Sequence, residues 1–482
     1  MNRVQDKVTS NLLWRFLERC GAQGVTFIVS IILARMLDPN IYGTVALVTV
    51  FTTIMQVFVD SGMGNALIQK KEADDLDFSS VFFFNMAVCS LLYLIMFISA
   101  PFIAAFYKMP ELTSVVRVLS LILIISGVKN VQQAYVSRNM QFKKFFFSTI
   151  GGTIGAAVVG IVMAYLGFGV WALVAQMLFN AAVDTLILWI TVKWRPKMMF
   201  SFQRLKALFS FGWKLLVSAL LDTVYNDLRK LIIGKLYSSN DLAFYNQGNK
   251  FPKLIITNIN TSIDSVLLPT MSKAQDDKNV VRSMTRRAIK TSTYLMMPIM
   301  MGLAVCAEPL VSLILTDKWL PCVLFLRVFC ISYAFYPIHT ANLNAIKAMG
   351  RSDLFLKLEI IKKIVGLVAI LITMWISVEA MAYSLLVTTV LSQIINSWPN
   401  RKLLGYSYID QIKDMLPQIG LSLIMGAAIY LVLLAGFSSV FTLCIQIPLG
   451  MIIYIVLSKL LHIESFEYVV AMLRNFKKKK RK

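Results

Sequence analysis

The sequence predicts an all-α integral membrane protein of about 14 transmembrane helices, and three observations carry that reading. The 482 residues are 57% hydrophobic and only 15% charged, with a mean hydropathy of +0.69, a composition found in multi-spanning membrane proteins. Apolar runs long enough to cross a bilayer, about 20 residues each, recur from one end of the chain to the other. The stretch Asn11 to Met36, apolar but striped with charge, returns as Phe209 to Leu236 roughly 200 residues later.

In order, the candidate spans lie near 11–36, 42–68, 81–107, 113–136, 147–167, 170–192, 207–236, 242–271, 288–316, 320–346, 354–376, 379–400, 413–434 and 437–461. The first carries Arg15, Glu18 and Arg19 in its middle, and no small-residue cleavage site follows it. It therefore reads as a permanent first span and not a cleaved leader. Turn signals separate the runs: Asp38-Pro39-Asn40, Gly167-Phe168-Gly169, Ser238-Ser239-Asn240 and Asp317-Lys318. Lysine and arginine concentrate in alternate loops, at Lys70 and Lys71, Arg138 to Lys144, Lys193 to Lys197, Lys273 to Arg287, Lys347 and Arg351, and Arg401 and Lys402, ending in the tail Lys477 to Lys482. The other loops hold little beyond Lys108, Lys235 and Lys318. That alternation predicts an even number of spans with both termini cytoplasmic, and the basic tail suits anionic headgroups.

Matching the two halves gives a parallel repeat. Arg35-Met36-Leu37 faces Lys235-Leu236-Tyr237, Asn40-Ile41-Tyr42-Gly43 faces Asn240-Asp241-Leu242-Ala243, and Asn139-Met140-Gln141 faces Met349-Gly350-Arg351. Six spans in each half predict two six-helix lobes, residues 1–200 and 201–405, related by a pseudo-twofold axis along the membrane normal. Spans 13 and 14 have no counterpart and form an accessory pair, residues 406–461, before a basic cytoplasmic tail, 462–482.

The polar residues within spans fall at helical spacing, so they share faces. One stripe holds Arg15, Glu18, Arg19, Gln23 and Thr26, and its counterpart holds Lys214, Ser218, Asp222, Asn226 and Arg229. The second span carries Thr49, Thr52, Thr53, Gln56 and Asp60, and the eighth carries Asn246, Asn249, Lys250, Lys253, Thr257, Asn260, Thr261 and Asp264. A charge at bilayer depth costs at least roughly 3 kcal/mol on insertion scales, so these faces turn toward a polar interior. The cations Arg15, Arg19, Lys214, Arg229, Lys230, Lys250 and Lys253 outnumber Glu18, Asp60, Asp222, Asp227 and Asp264. Interhelical ion pairs account for single residues; the surplus of cations calls for water or an anionic ligand. Lys129, Asp184, Arg327 and His339 stand as isolated exceptions.

Other chemistries find little support. Six scattered cysteines without CxxC spacing indicate neither zinc nor a disulfide framework. There is no Gly-rich phosphate loop, and two histidines leave little for metal or acid–base work. Asp75-Leu76-Asp77 mimics a DxD metal motif but has no nucleotide-binding domain around it. No catalytic residue, metal or cofactor is expected. The net charge of +23 is distributed over short loops, not on a nucleic-acid-binding domain.

Several stretches resemble the polysaccharide-exporter flippases of the multidrug/oligosaccharidyl-lipid/polysaccharide (MOP) superfamily, the Wzx-like type that exports colanic acid, teichuronic acid and O-antigen units. Asp60 to Gln69 is similar to the end of that family's second helix, Ser137 to Phe142 to its span 4–5 loop, and Gly167 to Val174 to the start of its sixth helix. Leu268-Pro269, Lys318-Trp319 and Gly350-Arg351 fit its second half, while Ala243 stands where glycine is usual.

The resemblance implies two lobes around a central cavity, alternating access, and a lipid-linked oligosaccharide carried to the outer leaflet of a bacterial inner membrane for lipopolysaccharide or related surface glycans. Basic residues of the cavity would bind its pyrophosphate: Arg15, Arg19, Lys214, Arg229, Lys250 and Lys253, with Asn246 and Asn249 on the sugar. Glu18, Asp60, Asp222 and Asp264 would gate or couple transport to a proton or sodium ion. A polymerase or other assembly protein would be a partner, beside membrane lipids. The rivals are a multidrug or organic-cation antiporter, which favours an acidic or aromatic cavity, and a membrane glycosyltransferase or polymerase, which needs a large catalytic loop. A non-transporting scaffold would leave the buried charge without a reason.

Overall fold

The computed structural model describes the backbone of residues 2–60, 63–70 and 72–479, and the side chains within these except at 2–13, 15, 16, 65, 207, 211, 214, 472, 473 and 475–479. Among the described residues every regular element is helical. Two compact units divide the chain, Met1–Ala243 and Phe244–Lys482.

The first unit opens with α1 (Asn2–Met36) and α2 (Pro39–Asp60), which starts on a proline whose missing N–H costs nothing in a first turn. The short α3 (Met63–Gln69) follows within the expected span 42–68, with residues 61 and 62 outside the described residues. Next comes α4 (Asp75–Tyr107), capped by Asp74: its side chain accepts from the Asp77 N–H while Asp77 reaches back to the cap N–H. The sequence around 112–138 forms α5 (Leu112–Leu119) and α6 (Leu121–Arg138), followed by α7 (Phe142–Tyr165) and α8 (Val170–Thr191). The unit ends with α9 (Phe202–Leu236), bent by 55° between Ser210 and Leu215.

The second unit holds most of α10 (Ser239–Lys273), then α11 (Lys278–Val305) and α12 (Ala307–Leu315), which divide the expected span 288–316. After a 3-10 turn at Asp317–Trp319 come α13 (Cys322–Ala334) and α14 (Tyr336–Ala348), together the expected span 320–346. Then follow α15 (Ser352–Thr373), α16 (Val378–Leu404), α17 (Tyr408–Leu434), α18 (Ser439–Leu460) and α19 (Glu464–Lys479).

Among the described residues, eleven helical segments are long and apolar enough to cross a membrane, and twelve when the bent α9 counts as one. The expectation of about 14 exceeds this because two expected spans, α10 and α15, have the length without the composition. The 22 residues of α15 include Asp353, Lys357, Glu359, Lys362 and Lys363. The helices α4 and α18 are apolar on all sides and present Leu94, Ile98, Phe102, Ile447, Met451 and Ile455 outward, as lipid-facing helices do. The chain is thus a multi-pass membrane protein.

Two of the pairings drawn between the halves fall at matching helix ends or turns. Helices α1 and α9 are each 35 residues long and end at Met36 and Leu236, and the next helices begin at Pro39 and Ser239. At the later pairing, Met140 and Gly350 both adopt the left-handed conformation, at φ 51° and 72°. The compact units divide differently from the expected 200/201 boundary. Helix α9 falls in the first unit, where the Tyr107 hydroxyl donates to the Leu231 carbonyl at 3.4 Å and the Lys235 ammonium sits 3.9 Å from the Phe106 ring centroid. Helices α17 and α18 pack on α11 and α12 of the second unit, and α19 turns back onto α11 through the ion pair of Lys290 with Glu464. The expected basic tail therefore begins as a helix.

Candidate functional site

The candidate site consists of the polar seams, each within its own unit. In the first unit, α7 comes against α1 and the Thr149 hydroxyl donates to Glu18 Oε1 at 3.4 Å. Glu18 is buried and Arg19 is exposed. The side chains of Arg15 and Lys214 lie outside the described residues. On α9, Asp222 is exposed, Arg229 is buried, and Lys230 pairs with Asp227 one turn away at 2.6 Å.

Asp60 ends α2 and is held by amides. Its Oδ1 accepts from Gln56 Nε2 at 3.3 Å and from Asn130 Nδ2 at 3.2 Å, and Asn130 Oδ1 in turn accepts from Asn85 Nδ2 at 3.4 Å. Beside Asn130, the Lys129 ammonium meets Asp184 Oδ2 at 3.0 Å. Thus two of the four residues set aside as isolated are partners, contributed by α6 and α8. Asn85 and Asn130 were not singled out, although each is an amide within an apolar run, the one signal the sequence offered.

In the second unit, α10 presents its seam to α13 and α14. A Cβ on Gly248 would lie 2.8 Å from the Cys322 carbonyl oxygen and from the Leu326 nitrogen, so glycine allows α10 to rest against the backbone of α13. That approach sets three cross-links: the Tyr333 hydroxyl donates to Asn249 Oδ1 at 2.9 Å, Thr340 to Asn260 Oδ1 at 2.5 Å, and Asn344 Nδ2 to Asp264 Oδ1 at 2.8 Å. Asn246 and Lys250 are half-buried and Lys253 is exposed. Among the described residues Lys250 has no ion-pair partner, with Asn249 and Gly248 beside it tied into the α13 contact.

Behind this seam lies a second polar layer. His339 and Asn396 meet at 3.0 Å, and Asn342 joins Gln411 and Asn400 at 2.8 and 2.7 Å. Arg286 grips Asp414 with two N–H groups, both at 2.7 Å, and the Tyr406 hydroxyl adds a third bond at 2.8 Å. Such a bidentate fork fixes α11 against α17.

The Asp60–Gln69 and Ser137–Phe142 stretches form one assembly. Arg138 Nη1 donates to the carbonyls of Leu67, Ile68 and Lys70 at 2.8, 3.3 and 2.5 Å, filling acceptors that a helix end leaves open. Asp74, in the loop after α3, has its carboxyl held below the usual range by the Asp77 backbone N–H, against some desolvation, with Arg204 adding to the effect at 2.7 Å. Asp75-Leu76-Asp77 is occupied structurally: Asp75 pairs with Lys197 and accepts from the Trp194 indole, and Asp77 pairs with Lys70.

The described seams thus set amides, carboxylates and cations along long helices within each unit. A solved structure described as "Lipid II flippase MurJ, inward closed conformation" has the same fold, with a TM-score of 0.73, 16% identity, and 94% of this chain and 99% of that one covered. The family described as "Polysaccharide biosynthesis protein" matches residues 32–324, more than half of the sequence, and the chain belongs to that family. It is 27% identical over 313 residues to the succinoglycan biosynthesis transport protein ExoT of Rhizobium meliloti, covering 65% of this chain. It is 25% identical over 310 residues to the teichuronic acid biosynthesis protein TuaB of Bacillus subtilis, covering 63% of this chain. The chain spans 63% of the length of each of these two relatives.

Proposed function

We propose that the chain is a flippase that moves a polyprenyl-pyrophosphate-linked oligosaccharide unit from the cytoplasmic to the outer leaflet, for export of a cell-surface polysaccharide. It works by alternating access in a bacterial cytoplasmic membrane, with both termini inside and two six-helix lobes of a 14-span fold flanking the path. Family membership supports this reading, as do relatives named for polysaccharide biosynthesis and transport. The observation that carries it is Lys250, a half-buried ammonium in a span-length helix that has no protein counter-ion among the described residues.

An uncompensated charge away from water is costly, so the seam is built to receive an anion. A lipid-linked sugar supplies it: the pyrophosphate meets the cations, amides such as Asn246 bond the hydroxyls, and the polyprenyl tail stays in lipid. The glycan head cannot cross hydrocarbon alone, because its hydroxyls and charges would lose their hydration. A multidrug antiporter would place carboxylates or aromatic rings where this chain places cations. Transport, not catalysis, is the task these residues suit.

Lys250→Ala should insert and accumulate like the wild type but lower glycan export in a deletion strain. Loss of one charge-assisted hydrogen bond corresponds to roughly ten- to a hundredfold. Lys250→Arg should restore part of the activity. Full export by Lys250→Ala would remove the basis for this assignment.

A further inference from the structure

A cavity of about 630 Å³ opens on the side of the second unit, between α12, α13 and α16. Its polar lining is Glu308, Arg327 and Glu379, with Tyr383 and Ile331 at the rim. These residues belong to none of the seams, and the proposal does not rest on the flippase reading.

Three features define what this crevice can take. Arg327 Nε donates to the Ala304 carbonyl at 3.2 Å, which pins the guanidinium, while its Nη2 lies 3.7 Å from Glu308 Oε2. A loose, exposed pair of that kind contributes little stability, so it does not by itself explain three charges at the edge of apolar helices. Second, Glu308 and Glu379 each sit in the first turn of a helix, α12 and α16, so the crevice is lined by one guanidinium and two carboxyl side chains.

Third, the depth is that of the membrane–water boundary. Trp375, two residues before the Ser377 cap of α16, is 72% exposed, as indole rings in interfacial belts are. From the crevice an apolar strip runs along α16: Tyr383 is 49%, Val387 60% and Val390 48% exposed, spaced at four and three so that they share one face.

We propose that this crevice binds the headgroup of a zwitterionic phospholipid bearing a primary ammonium, with its acyl chains along the Tyr383–Val390 strip. The phosphodiester meets the planar fork of Arg327. The ammonium, with three N–H donors, sits between Glu308 and Glu379. A quaternary choline headgroup has the same charge but no N–H to donate. An anionic glycerol headgroup brings no cation and faces two carboxylates.

The test is lipid retention by the purified full-length protein, read by native mass spectrometry after addition of phosphatidylethanolamine, phosphatidylcholine or phosphatidylglycerol. The wild type should retain phosphatidylethanolamine over phosphatidylcholine by about threefold to tenfold, the range that one or two net hydrogen bonds supply. Glu379→Gln and Glu308→Gln should each reduce that preference, and Arg327→Gln should lower retention of both lipids. Equal retention of the two by the wild type overturns the proposal. Stronger retention of phosphatidylglycerol overturns it in favour of a bare anion site. An unchanged preference in Glu379→Gln places any such site elsewhere. The wild-type comparison is decisive on its own if a variant fails to fold.

Discussion

Asp60 and Asp264 are held by the same means: each accepts from a side-chain amide of a neighbouring helix, Asn130 in one unit and Asn344 in the other. An amide partner is neutral, so among the described residues a coupling cation arriving there has no ion pair to displace. We propose these acids as coupling residues, with Glu18 and Asp222 as gating residues. Asparagine at either position retains an acceptor for the same amide, so Asp60→Asn and Asp264→Asn should fold and bind substrate. In proteoliposomes both should lose the dependence of flipping on an ion gradient or on potential, which supplies about 2.3 kcal/mol per charge per 100 mV. Unchanged gradient dependence in both variants would reduce these acids to a structural role. At this scale the sequence was partly legible. Spacing put Asp60 and Asp264 on polar faces, but nothing local to Asp60 pointed to Asn130, seventy positions away.

At the scale of the element, α3 is the informative case. The end of α3 at Gln69 leaves carbonyls that its own turns cannot satisfy. Arg138, from the end of α6, supplies the donors. Arg138→Ala should therefore loosen α3 and lower stability by about 2 kcal/mol, the worth of hydrogen bonds to a charged group. Arg138→Lys should recover only part, because a shorter side chain must bring its ammonium to the point where Nη1 meets three carbonyls. Thermal unfolding in detergent reads the difference, and an unchanged midpoint in Arg138→Ala would show that α3 needs no cap. The sequence marked both stretches but could not join them. Their meeting depends on how α2 and α6 pack.

At the scale of the molecule, the alternation of basic loops predicts a single orientation. Cysteines introduced in 193–197 and 282–287 should resist an impermeant thiol reagent on intact cells, and cysteines in 167–169 and 317–318 should react. Labelling of the first pair would invert the topology and with it the direction of transport. The turn expected at Gly167-Phe168-Gly169 lies between α7 and α8, with Gly167 and Gly169 at positive φ, 78° and 55°.

The sequence by itself determined that the chain is a series of long apolar helices, because hydropathy and helical period act over neighbouring residues and the bilayer sets a fixed length. It placed the breaks at Met36 and Leu236 before any contact was known. Only the tertiary structure decided which charges meet. Lys129 and Asp184 look solitary in their spans and form an ion pair at 3.0 Å, while Lys250, one of a row of polar residues, has no ion-pair partner among the described residues. Arg327, also read as an exception, becomes one wall of a crevice because α12 and α16 bring Glu308 and Glu379 to it. Pairings between helices arise from close approach at small residues such as Gly248, and that packing is a property of surfaces that no single segment contains.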